Sequence, residues 1–190
     1  MTLLILGIVA FLGLHLLPTL PGLRERLIAR LGEGAYKGAF ALVSIAAFIL
    51  LVYGFAKAPV LQVWSPPAWT RWVAIVLMLP AFIFLVAAYV PGQIKAKLKH
   101  PFLVAIKTWA LAHLIANGDL ASIILFASFL AYAVYDRITL KGRPDRGLVA
   151  TPKSGAPSND VIAVILGVVL YLAFLFWLHP LLIGTSPLPR

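Results

Sequence analysis

Six apolar runs of 15 to 23 residues, joined by short polar segments, constrain this chain more than any other feature. They cover residues 3–20, 37–56, 71–90, 102–116, 120–135 and 161–183. A helix needs about 20 apolar residues to cross a hydrocarbon core roughly 30 Å thick. The fold class that follows is all-α, a polytopic membrane bundle of about six transmembrane helices, with residues 1–190 forming a single transmembrane domain. The run 102–116 is the short one, about 22 Å as a helix, and the lysines ahead of it can snorkel to extend its reach.

Composition matters here for what it excludes. Apolar residues make up 62% of the chain and charged ones 12%, against about 45–50% and 25% in soluble domains. A net charge of +10 would suggest nucleic acid in a soluble protein. Here the basic residues sit between apolar runs, so the charge reads as topology and no nucleic-acid partner is expected. Twelve lysines and arginines fall in the first, third and fifth loops, against Lys57, Arg71 and Arg190 on the other side, with Lys107 inside a span. That bias puts those three loops in the cytoplasm and both termini on the non-cytoplasmic side. With no cysteine, disulfides, thiolate metal sites, iron–sulfur clusters and covalent CxxCH haem attachment are excluded. No internal repeat is visible, which argues against a transporter built from inverted halves.

Along the chain, Pro18 and Pro21 end the first span. Residues 22–34 place Leu23, Leu27, Ile28 and Leu31 at helical spacing opposite Arg24 and Arg30, which predicts a short amphipathic helix on the membrane surface. Residues 57–69 hold three prolines with Trp64 and Trp69, an interfacial loop. Pro80 is placed to kink the third span. Ala127, Ser128 and Ala131 offer small residues for close helix contact. Residues 141–160 read as a flexible cytoplasmic loop, with Ser158, Asn159 or Asp160 to cap the last helix.

The chemistry must reside in the few ionisable groups of the spans, which are costly in lipid and face the bundle interior or a cavity. His15 lies in the first span and His113 in the fourth, with Phe102, Ile106, Trp109 and Asn117 on its face. His100 and Lys107 share the other face of that helix. Each has a plainer reading: a membrane histidine can bridge helices, His100-Pro101 can start a helix, and Lys107 can snorkel. Asn117-Gly118-Asp119 is most simply a turn with a helix cap, and His179 an interfacial residue. Two histidines from different helices point further. Facing imidazoles in a dry aromatic pocket are what haem b needs for six-coordinate iron. Residue counts put His15 and His113 roughly 10 Å apart in depth.

The pieces GLHLLPTLPGLRERL, GEGAYKGAFALVS, PGQIKAKLKHP, KTWALAHLIANGDLAS and YDRITLK resemble the NnrU family of bacterial membrane proteins, over the chain up to about Lys141. That family is similar to the zeta-carotene cis–trans isomerases, membrane enzymes that use haem b. The resemblance matches His15, His100-Pro101 and Ala112-His113 to the isomerase histidines. It implies that His15 and His113 are axial haem ligands, with His100 an alternative ligand or catalytic residue. Phe11, Trp109, Lys107 and Asn117 are the candidates for lining the pocket. The chain departs from the isomerases after His113, where it reads IANGD. The resemblance also implies the bacterial inner membrane and a role in nitrite and nitric oxide metabolism. Three functions follow as expectations: a haem b protein of redox or NO response, a haem-dependent isomerase of a polyene lipid, and a transporter or scaffold without haem.

Overall fold

A computed structural model describes residues 1–140 and 155–188. The expected loop at 141–160 therefore lies outside the described residues up to 154. The helices are α1 (Thr2–Leu16), α2 (Pro21–Leu31), α3 (Glu33–Ala56), α4 (Ala68–Ala87), α5 (Gln93–Leu98), α6 (Pro101–Ala116), α7 (Leu120–Thr139), α8 (Pro157–Ala173) and α9 (His179–Ile183). A π-helical turn, Phe174–Leu178, joins α8 to α9. Five stretches are long and apolar enough to cross a membrane: Thr2–Thr19, α3, α4, α7 and Pro157–Ile183. The sixth expected span is α6, whose 16 residues reach only about 24 Å.

Proline and glycine set the first corner. Pro18 lies in a 3-10 turn, Leu17–Thr19, that ends α1, and Pro21 occupies the first turn of α2. There its missing N–H costs nothing. Gly32, at φ 79°, ψ 155°, then turns the chain from α2 into α3, a conformation open to glycine. Pro80 lies inside α4, which continues unbroken through it.

The long helices pack in a row, α3–α1–α7–α6–α4–α8, with the α1–α7 contact the thinnest. Leu4, Ile8 and Leu12 repeat at four-residue spacing and bury one face of α1. They meet Leu51 of α3, Ala110 of α6, and Ala121, Leu125 and Phe126 of α7. The opposite faces of α1 and α3 expose Leu6, Val9, Leu42 and Ile49, as helices facing lipid do. In lipid, helices associate through close packing rather than apolar burial. The α1–α3 contact shows it: a Cβ on Gly7 would lie 2.5 Å from the Leu51 backbone, and one on Gly54 2.5 Å from the Leu4 backbone. The small residues expected to serve this purpose on α7 do not, because Ala127 and Ala131 face outward. The close contacts of α7 are instead at Ala121 and Ala133.

Each end of the bundle is tied by hydrogen bonds between loops. At one end the Val63 amide donates to the Gly118 carbonyl and the Leu120 amide to the Leu61 carbonyl, both 2.8 Å. At the other, basic end, the Asp160 carboxylate accepts from the amides of Gln93 and Ile94, each at 3.0 Å. The Asn159 amide donates to the Pro91 carbonyl at 2.7 Å. The sequence reading therefore errs on two points. The last helix starts at Pro157, inside the expected loop, because proline suits a first turn. No side chain caps it; Asp160 caps α5, a helix the lysine-rich segment did not announce.

Candidate functional site

Both membrane histidines are held in the same way. The His15 Nδ1–H donates to the Phe11 carbonyl at 2.7 Å, and the His113 Nδ1–H donates to the Trp109 carbonyl at 2.8 Å. Each partner is four residues earlier, where the helix places it. A carbonyl oxygen only accepts, so each Nδ1 carries a proton, and in the neutral ring each Nε2 then keeps its lone pair. That arrangement fixes tautomer and ring orientation as it does in histidines that bind metals.

The helix α7 brings the two together. Phe126, Phe129 and Tyr132 recur at three-residue spacing along it. The His113 ring stacks on Phe126 at 4.5 Å. His15 meets Tyr132 edge-on at 6.4 Å and Phe40 of α3 at 5.5 Å. Phe129 lies 5.9 Å from Phe11 and 5.6 Å from Trp109. Phe11 in turn lies 4.3 Å from His15, and Trp109 5.4 Å from His113. The two imidazoles thus belong to one aromatic layer between α1, α6 and α7. Phe126 and Tyr132 are six residues apart, about 9 Å along the axis, so the imidazoles sit at different levels.

The other candidates separate. Phe11 and Trp109 are in the layer as ring partners and as the carbonyls that orient the histidines. Asn117 supports it from outside, its amide donating to the His113 carbonyl at 2.9 Å. Asp119 accepts from the Ser122 amide at 2.9 Å and caps α7, as its turn suggested. His100 stands at the start of α6, thirteen residues before His113, about 20 Å along the axis. Lys107 is half-buried on α6, with no hydrogen bond to the layer among the described residues. The His179 ring bonds the Thr185 carbonyl at 2.7 Å, at the far end of the last span.

Sequence reasoning missed the α3 side. Tyr36, Phe40, Ser44 and Phe48 repeat every four residues. Phe40 contacts His15 and Phe48 contacts Phe11 at 5.8 Å. Between them, the buried Ser44 hydroxyl has no hydrogen-bond partner among the described residues. An orphan hydroxyl costs free energy in an apolar setting. Periodicity could have located this stripe, but only the packing of α3 on α1 shows that it faces His15.

Among the described residues no three of His, Cys, Asp and Glu gather to hold a metal ion. A porphyrin asks for less, since it supplies four nitrogens and needs one or two axial donors. Two imidazoles tethered through Nδ1, with no Nε2 hydrogen bond among the described residues, and aromatic walls around them fit that group by donor chemistry.

The class so defined is an all-helical, multi-pass membrane protein with two oriented imidazoles in an aromatic layer. The chain matches the family described as "NnrU protein" over residues 3–187, nearly its full length. It belongs to the NnrU family. No curated protein and no solved structure matches it.

Proposed function

We propose that this is an integral membrane haem b protein acting in nitrite and nitric oxide metabolism through redox or NO response. The observation that carries the haem reading is the shared Nδ1 tether of His15 and His113, which leaves both Nε2 atoms as the donor positions of the neutral rings within one aromatic layer. The link to nitrogen oxides rests on the family resemblance. The charge bias of the loops supports placing the termini outside and the protein in the bacterial inner membrane.

In this reading His15 and His113 would hold the haem iron through their imidazoles. Phe11, Trp109, Phe126 and Phe129 exclude water and supply flat apolar walls. The carbonyls of Phe11 and Trp109 hold the donor tautomer. Bound haem would supply one-electron chemistry, and an iron site for a diatomic ligand only where a single imidazole holds it. The ring partners Phe126 and Tyr132 are about 9 Å apart along α7, so the layer would have to rearrange for one iron to take both imidazoles.

The test is spectroscopic. Purified, dithionite-reduced protein is expected to show a Soret band that shifts on addition of NO. A band unmoved by NO would rule out the NO response and leave redox transfer. A reduced protein that turned a cis-polyene into its trans isomer would transfer the assignment to an isomerase.

A further inference from the structure

A small cavity of about 170 Å³ opens beside His15 at the basic end of the bundle. Pro18, Tyr36 and Phe40 give it apolar walls, and Arg24 and Lys37 stand at its rim. The sequence pattern sets Arg24 on the polar side of α2, but Arg24 turns inward: it is half-buried with Leu27 and Ile28, while Leu23 and Leu31 are exposed. Lys37 pairs with Glu33 at 2.7 Å. Neither the Arg24 guanidinium nor the Tyr36 hydroxyl makes a hydrogen bond among the described residues. A guanidinium has five donors in a plane and suits a carboxylate or phosphate.

One wall of the cavity, on α3, leads toward the histidine layer. Tyr36 and Phe40 line it, Phe40 touches His15, and the partnerless Ser44 hydroxyl lies one turn further. Eight residues separate Tyr36 from Ser44, about 12 Å. A small inorganic anion would have no use for the aromatic walls, and a neutral hydrocarbon none for the cations. An apolar body ending in an acidic group uses both.

We propose that this cavity binds the acidic end of an amphiphile, with Arg24 holding a carboxylate or phosphate, Tyr36 donating to it, and Lys37 adding its charge from the exposed pair with Glu33. The apolar body then lies against Pro18 and Phe40. Two sources share this chemistry: the propionates of a porphyrin and the headgroup of an anionic lipid. The porphyrin source rests on the haem reading above; the lipid source does not.

The experiment uses the full-length protein in a neutral detergent. One arm compares haemin with haemin dimethyl ester by titration of the Soret band. The other compares phosphatidylglycerol with phosphatidylcholine by native mass spectrometry. A preference for the acidic probe is expected in at least one arm. In the Arg24→Gln/Lys37→Gln protein that preference should fall about tenfold, the weight of lost hydrogen bonds between charged groups. Arg24→Lys/Lys37→Arg should retain most of it, and equal melting temperatures establish that all three proteins are folded. Preference in the haemin arm alone assigns the site to the porphyrin, and in the lipid arm alone to a lipid. Equal binding of acidic and neutral probes in both arms, or a preference that survives the double Gln substitution, overturns the proposal. If neither arm shows a preference while haemin and its ester both bind through His15, the haem reading stands and only the acidic site fails.

Discussion

The two ends of the aromatic layer differ in how complete they are. At His113 the protein fills the space: the ring stacks on Phe126, Asn117 bonds its carbonyl, and the loop around Gly118 is pinned to residues 61–63. At His15 the same Nδ1 tether is present, yet the surroundings are unfinished. A cavity opens next to its neighbour Phe40, and among the described residues Arg24 makes no hydrogen bond and the Ser44 hydroxyl has no partner. One imidazole is thus anchored in a closed wall, and the other lies one ring contact, Phe40, from a place with spare donors. Under the proposed haem reading the two would take distinct parts, His113 holding and His15 admitting.

The comparison breaks most readily at the α1–α3 contact, about 12 Å along α1 from His15. Gly7→Leu would drive side-chain atoms into the Leu51 backbone, 2.5 Å from its own Cβ. It should cost at least about 3 kcal/mol and separate α1 from α3. The check is thermal unfolding in detergent, where a melting temperature equal to wild type would contradict the assigned contact. Gly118→Ala tests the other end, because its Cβ would strike the Trp64 carbonyl. A loss of about 1–3 kcal/mol is expected, with faster amide exchange at Val63 and Leu120. Exchange rates that stay low would show that the outer clasp does not depend on Gly118.

Smaller changes sharpen the picture. Asp160→Ala leaves the Gln93 and Ile94 amides uncapped and should cost about 1 kcal/mol. It acts far from either histidine, so any haem spectrum should be unaltered by it. Ser44→Ala removes a hydroxyl with no partner. The unliganded protein should keep its melting temperature or gain slightly. Binding at the His15 end should weaken by a few-fold, about the worth of one neutral hydrogen bond. A variant less stable than wild type would show that the hydroxyl is already satisfied in the free protein.

Much of this was legible in the residues. The apolar runs marked the spans, Pro18 and Pro21 marked the first corner, and Asp119 marked its own cap. The histidines and their i−4 neighbours Phe11 and Trp109 were also readable, since a helix brings those pairs together whatever it packs against. What spacing could not supply was the order of the helices. That α7 lies between α1 and α6, and so turns Phe126, Phe129 and Tyr132 into a common wall, is a tertiary fact. The small residues of α7 misled for the same reason: Ala127 and Ala131 satisfy a close-contact pattern but face outward. Asp160 misled because a carboxylate can cap any nearby helix start, and the nearest uncapped one belonged to α5.

The central claim is that His15 and His113 hold a porphyrin iron, and an absorption spectrum tests it most directly. Protein purified from haem-replete cells, together with its His15→Ala and His113→Ala variants, should be recorded oxidised and reduced. The account predicts a Soret band in the parent that is lost or displaced in each variant. No band in the parent, or a band that either variant leaves unaltered, would contradict it.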